Sequence, residues 1–409
     1  MPDLSRRKLL LAGGALGAAG ALNAISPAHA WTWSSAGSIA ATDTVRDPRY
    51  VWDDLTDPVI ADLLDRGGVP GVNALLKPWV YNWQSPSWLL PSDVRRVVNE
   101  ARRLPDWADL GKLDVAYRFA TKRGLYLGVL YGMNSGMMSA AIPREARAVY
   151  WSKGGADIRD RIAKTAKLGY DIGDFHAYRP DGKMIVTCVK TRLTHSAVRH
   201  LLPQSPYWMQ VADEPEKRPI SQFDILITWH SLASSVMQKL DEWGVEIPQN
   251  ERDAYLHLWQ VTAHMLGVID EFIPSSWEEA ELQRQQVLVP ILARTDEGVK
   301  LADMLVNLGQ YIDFSLVTQP LFEAVTRYML GDEVTDMLEL TRRPVLEATV
   351  EEVWPVFIKL REAGLPLPGA PALYTAFEEL IRKFALFYLE PFQQINIDIP
   401  THNNANHPY

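Results

Sequence analysis

The sequence predicts a mainly α-helical protein, and three observations point to helix as the dominant element. Apolar residues recur at three- and four-residue spacing through most of the chain, only one run reads convincingly as a strand, and the composition is that of an ordinary globular chain: 409 residues, 47% hydrophobic and 22% charged. No repeat of fixed period and no linker-like break in composition divides it, so one compact helical domain with terminal decorations is the simplest organisation. The single cysteine, Cys188, excludes an intramolecular disulfide and a Cys-rich zinc site.

The chain opens with Ser5-Arg6-Arg7-Lys8, continues as an uncharged Leu/Ala/Gly-rich run to Ile25, and reaches small residues at Ala28-His29-Ala30. That order reads as a signal peptide over residues 1–30, and the paired arginines point to the twin-arginine route, so the mature protein is expected to be secreted. The apolar run is short of the ~20 strongly apolar residues of a membrane span, which weighs against an N-terminal anchor. Loss of Asp3, Arg6, Arg7 and Lys8, a net charge of +2, takes the formal charge from −9 to −11. An acidic chain argues against nucleic acid and anionic membrane as partners, and a soluble monomer without a membrane span is expected. Twin-arginine export carries folded cargo, which suits a protein that takes up a cofactor first.

Residues 31–110 read as an N-terminal extension. Its first part, with Trp31 and Trp33, shows little periodicity. Helical spacing then runs from Asp57-Pro58 to Lys77 and from Ser92 to Leu104, with Pro78, Pro86 and Pro91 breaking the chain between them. A core over residues 111–390 holds helical patterns near 113–131, 156–170, 191–202, 219–243, 249–272, 276–293, 297–314, 318–330, 349–363 and 370–389. Lys183 to Val189, after the Pro180-Asp181-Gly182 turn, is the convincing strand signal, and Ile395 to Ile399 is a faint second. Residues 391–409 form the tail, polar towards its end.

Chemistry has to be sought among the histidines and bases on helical faces. His195 shares a face with Val198 and Leu202, whereas His200 points the other way. His230 aligns with Leu226, Ala233, Met237 and Leu240 on a helix apolar nearly all round, so its ring needs either a structural hydrogen-bond partner or a cavity. His257 and His264 lie two turns apart, about 10 Å, too far to share one ion on a straight helix. Arg161, Lys164 and Thr165 flank the apolar face of Ile158 and Ile162, where a lysine amine becomes informative only if a cavity lies beside it. No P-loop, dinucleotide glycine fingerprint, G-x-S-x-G elbow or H-E-x-x-H is present, so those chemistries have no support.

The order Arg161-x-x-Lys164-Thr165, Arg192-Leu-Thr-His195-Ser-Ala-Val-Arg-His200, Thr228-Trp-His230, then Tyr255-Leu-His-Leu-Trp259 leading to Leu266-Gly-Val resembles the latex clearing proteins, secreted haem b rubber oxygenases. The resemblance spans about residues 110 to 390. It implies a globin-like helical core with additional helices, haem b with its iron as cofactor, and cleavage of poly(cis-1,4-isoprene) by dioxygen, endo-type, into oligo-isoprenoids with aldehyde and ketone ends. It also implies that His195 is the proximal iron ligand and that Lys164 is the distal ligand of a closed state. Arg161 and Thr165 would then neighbour the distal pocket, Thr228 and His230 would belong to the haem environment, and Glu145, in Pro143-Arg-Glu-Ala146, would be the base towards the allylic hydrogen.

The residues themselves agree with the resemblance. A noncovalent haem needs an imidazole on an apolar wall, and one cysteine does not build a C-x-x-C-H attachment. The alternatives are a haem oxygenase of a smaller lipid or terpenoid, and a secreted haem- or gas-binding protein without turnover.

Overall fold

In this computed structural model, the residues described are 31–152, 164, 165, 167–169, 171–173, 176–311, 318–363 and 396–403. Among them the secondary structure is helical without a β-strand, and the one β-type contact is an isolated bridge between Ser38 and Pro274. The expected signal peptide, Arg161, the pattern near 370–389 and the end of the tail lie outside the described residues.

The N-terminal helices are α1 (Asp57–Asp65), α2 (Val69–Leu76) and α3 (Ser92–Ala101). The single helix expected from Asp57 to Lys77 is in fact two, because Gly67 adopts φ +68° and turns the chain where a side chain would be strained. Helix α4 (Leu110–Val129) runs into a π-helical turn at Leu130–Ser135, followed by α5 (Gly136–Ala140) and α6 (Pro143–Trp151). Proline at the first position and Glu145 in the first turn favour the start of α6, which the periodicity did not mark.

Helix α7 (Met184–Leu201) overturns the expected strand at Lys183 to Val189. Ile185, Val186, Thr187 and Val189 have the β-branching of a strand, but the residues around them are buried at helical spacing. Val186, Val189, Leu193 and Ala197 pack as one stripe on α1, α2 and α3, while Ile185 and Cys188 face the main core. Burial on two sides of a helix overrides local β-propensity. The faint strand at the tail is also corrected over 396–399: this stretch forms no strand and is bonded instead to side chains. Asn73 donates Nδ2–H to the Ile399 carbonyl at 2.9 Å and accepts from the Ile399 N–H at 3.0 Å. Lys190 reaches Asn396 Oδ1 at 3.3 Å, so this part of the tail is tied to α2 and α7.

Beyond α7 come α8 (Pro206–Val211), α9 (Gln222–Trp229), a second π-helical turn at His230–Ser234, and α10 (Ser235–Glu242). Helix α11 (Gln249–Met265) packs along α4, and α12 (Trp277–Val287), α13 (Asp296–Tyr311), α14 (Gln319–Met337) and α15 (Pro344–Glu362) complete the order. Trp31 and Trp33 are buried in the main core, and the Trp33 indole donates to Glu279 at 3.1 Å.

One buried charge network joins α1 and its approach to α7. Arg192 grips Asp53 through Nε at 2.5 Å and Nη2 at 2.9 Å, and Arg199 grips Asp57 through Nε at 2.9 and 3.0 Å. Thr56 and Ser196 share a hydroxyl contact of 2.6 Å between these pairs. Burial alone would raise the Asp53 carboxyl, but the Arg192 bond and charge outweigh it and hold it below its ordinary value. Asp53→Asn leaves Arg192 buried against a neutral partner and should cost about 3–5 kcal/mol. Because the folded-state value is depressed, the contribution is present above the unfolded carboxylate value and lost as pH falls through the folded one. Chemical denaturation should therefore show the gap between wild type and variant closing below about pH 4. A constant gap would contradict this assignment.

Candidate functional site

Helix α7 presents three faces, two of them packed into cores. On the third, half-buried His195 lies one turn before Val198. Val198 contributes to a small cluster centred on Leu202 and Trp208, which also takes Ala148 and Trp151 from α6. His195 is flanked at i−3 and i+4 by Arg192 and Arg199, both held by buried aspartates. Those anchors fix the rotation of α7 about its axis, and with it the direction in which the imidazole leaves the helix.

Lys164 is half-buried, Thr165 is exposed, and both are helical, as are residues 167–169, 171 and 172. This segment is keyed to α7. Asp171, 3% exposed, accepts from Thr187 Oγ1 at 2.5 Å and pairs with Lys167. One turn further along α7, burial lowers the pKa of Lys190 to about 8, and the charge of Lys167 acts in the same direction. The Thr187–Asp171 bond thus ties the segment that bears Lys164 to α7. Cys188 lies behind this pairing, fully buried, with its thiol pushed up by burial.

Glu145 and Thr228 come together from different helices: Thr228 Oγ1 donates to Glu145 Oε1. The contact follows from the way α6 and α9 are bound one turn away. Arg144 makes a bidentate pair with Asp224 at 2.5 and 3.0 Å, and Asp224 closes a capping box with Ser221 at the start of α9. Glu145 is half-buried and Thr228 exposed, and the bond between them orients the carboxylate.

His230 does not share that openness. Its ring is fully buried, with Nδ1 against Ser234 Oγ at 2.9 Å and Nε2 against Gln283 Oε1 at 2.9 Å. Gln283 in turn donates to the Phe272 carbonyl at 3.0 Å. Burial lowers the ring's pKa to about 3, keeping it neutral. With both nitrogens engaged inside the protein, His230 takes the structural option: it holds the π-helical turn that follows Thr228. His257 and His264 are structural as well. His257 Nε2 accepts the Asp109 N–H at 2.8 Å, and His264 Nδ1 meets Asp270 at 2.6 Å.

Two residues that sequence reasoning missed adjoin this region. Lys190 is one; its signal was hidden by the strand reading. Asn134 is the other, on the first π-helical turn, which is tied to the second by Ser135 Oγ donating to the Ser231 carbonyl at 2.5 Å. It is 1% exposed, and neither its amide nitrogen nor its oxygen has a hydrogen-bond partner among the described residues. Periodicity carries no sign of a π-turn, a local widening often found at functional sites.

The chain matches the family model described as the ER-bound oxygenase mpaB/B'/Rubber oxygenase catalytic domain over residues 118–359. It is 54% identical to the rubber oxygenase of Streptomyces sp. (strain K30), over 99% of this chain and 100% of that one. Its fold matches a solved structure titled as latex clearing protein in the closed state, with a TM-score of 0.86 and 54% identity, covering 90% of this chain and 99% of the other. The two π-turns, the Glu145–Thr228 contact and the Lys164 segment all lie inside the matched region, and the chain belongs to the mpaB/rubber oxygenase catalytic-domain family.

Proposed function

We propose that this chain is a secreted haem b dioxygenase that cleaves the double bonds of poly(cis-1,4-isoprene) with dioxygen, endo-type, leaving oligo-isoprenoids with aldehyde and ketone ends. The observation that carries the reading is the full-length match, at 54% identity, to a rubber oxygenase. The twin-arginine motif at Arg6-Arg7 supports export of the folded, loaded protein.

The residues present suit a haem. His195, half-buried on the α7 face that also carries Val198 of the Leu202 and Trp208 cluster, offers the imidazole on an apolar wall that a noncovalent haem needs. His195 would hold the iron from the proximal side and Lys164 from the distal side. A lysine donates a lone pair only when deprotonated, so its hold on a metal competes with a proton. The haem, when bound, supplies the redox chemistry with dioxygen.

The chain's own part is orientation, proton handling and exclusion of water. Asp53 and Asp57, through their arginines, fix the helix that carries His195. Val198, Leu202, Ala148 and Trp151 make the wall beside it apolar, which keeps competing water low and offers an uncharged polymer surfaces it can wet. Thr228 orients Glu145 by donating to its Oε1, and Glu145 would take the allylic proton of an isoprene unit. Arg161 and Thr165, on the Lys164 segment, would border the distal side.

Two substitutions test these roles. His195→Ala should yield folded protein without a Soret band and without turnover, and purified variant holding stoichiometric haem would overturn the ligand assignment. Glu145→Gln should keep its haem spectrum and lose turnover by about 10²–10⁴-fold. Full turnover of that variant on polyisoprene, measured as carbonyl products, would remove Glu145 from the mechanism.

A further inference from the structure

The loop joining α2 to α3 has no part in the chemistry above. From Trp79 to Pro91 it carries no charged side chain, in a chain that is 22% charged. Four large side chains stand out from it into water: Tyr81 is 39% exposed, Trp83 64%, Trp88 77% and Leu89 58%. Trp79 and Leu90, at its two ends, are buried in the core under α2 and α3.

The loop is braced from within. Gln84 Oε1 accepts the Val80 and Tyr81 N–H groups, each at 2.7 Å, and the Trp79 indole donates to the Gln84 carbonyl at 3.0 Å. Asn82, 5% exposed, donates to the Ala177 and Arg179 carbonyls at 2.9 and 2.6 Å and accepts the Ile185 N–H at 3.1 Å. Arg95 donates to the Trp88 carbonyl at 2.5 Å. Polar groups turn inward and aromatic groups outward, the reverse of an ordinary surface loop. The bracing holds the backbone so that little ordering remains to oppose adsorption.

We propose that this loop is the adsorption surface through which the enzyme seats itself on solid cis-polyisoprene. The inference rests on the rubber-oxygenase reading. The occupant follows from charge and area. The loop has no charge of its own, and the cations beside it are turned onto it, Lys183 Nζ over the Tyr81 ring at 5.3 Å and Arg95 on the Trp88 carbonyl, so it offers little to a charged headgroup or protein, whereas an uncharged hydrocarbon asks for nothing more. The four side chains expose roughly 500 Å² together, below the ~800 Å² per partner of a stable protein interface, whereas a continuous polymer surface supplies the rest of its own contact. Location agrees: Asn82 is bonded to Ile185 at the start of α7, about 15 Å along that helix from His195. Seating the loop brings this end of the site against the polymer.

The test compares wild-type holoenzyme with the Trp83→Ser/Trp88→Ser/Leu89→Ser variant on washed synthetic cis-polyisoprene particles and on a short oligo-isoprenoid dissolved in detergent. The variant should melt with wild type, adsorb to particles at least about tenfold less, cleave them correspondingly slowly, and turn over the oligomer within about twofold of wild type. Trp83→Tyr/Trp88→Tyr should retain adsorption. Unchanged adsorption of the triple variant overturns the proposal, as does wild type sedimenting as a dimer that the variant dissolves while particle binding stays the same. Wild-type turnover of the oligomer judges the rubber-oxygenase reading separately, because adsorption is read without it.

Discussion

The paired aspartate–arginine contacts on α7 are the constraint on which the rest depends. Asp53 with Arg192 and Asp57 with Arg199 are buried, and each pair places one charge on α7 and the other on or just before α1. Buried pairs are poor sources of net stability, since desolvation offsets their attraction, but breaking one strands a charge. What they supply is a unique arrangement. A helix coated in Val, Leu and Ala can rotate or slide against its neighbours at modest cost; one pinned by two guanidinium forks cannot. His195 stands between the forks and inherits their precision.

The remaining parts are tied to that fixed helix. Thr187, through Asp171, holds the segment that bears Lys164, and α6, packed on the Val198 and Leu202 face, carries Glu145. The far side of Glu145 is controlled by α9, through Arg144–Asp224 and then Thr228. His230 keeps the π-turn after Thr228 in place from inside the core. The site is thus assembled on helices whose mutual positions are each set by a buried polar contact, with apolar packing filling the space between.

The helical class and the face of His195 were legible in the sequence because both depend on periodicity over many residues, which burial rewards directly. The order of short motifs carried the family. Lost were features set by tertiary contact: α7 looks like a strand where β-branched residues are buried on two sides, Gly67 ends a helix by its φ angle alone, and the π-turns at Leu130–Ser135 and His230–Ser234 leave no mark on spacing. His230 was ambiguous for a related reason. An imidazole on an apolar stripe has the same pattern whether it meets a cavity or, as here, Gln283 and Ser234.

The central proposal is that His195, on α7, and Lys164, on the segment keyed to α7 by Asp171, would both hold the iron of a bound haem. The most direct measurement is the electron paramagnetic resonance spectrum of the ferric holoprotein, for wild type and Lys164→Met. If Lys164 is a ligand, the wild type carries a low-spin, six-coordinate fraction that the variant lacks. An equal low-spin fraction in both proteins would assign the sixth ligand elsewhere and contradict the account.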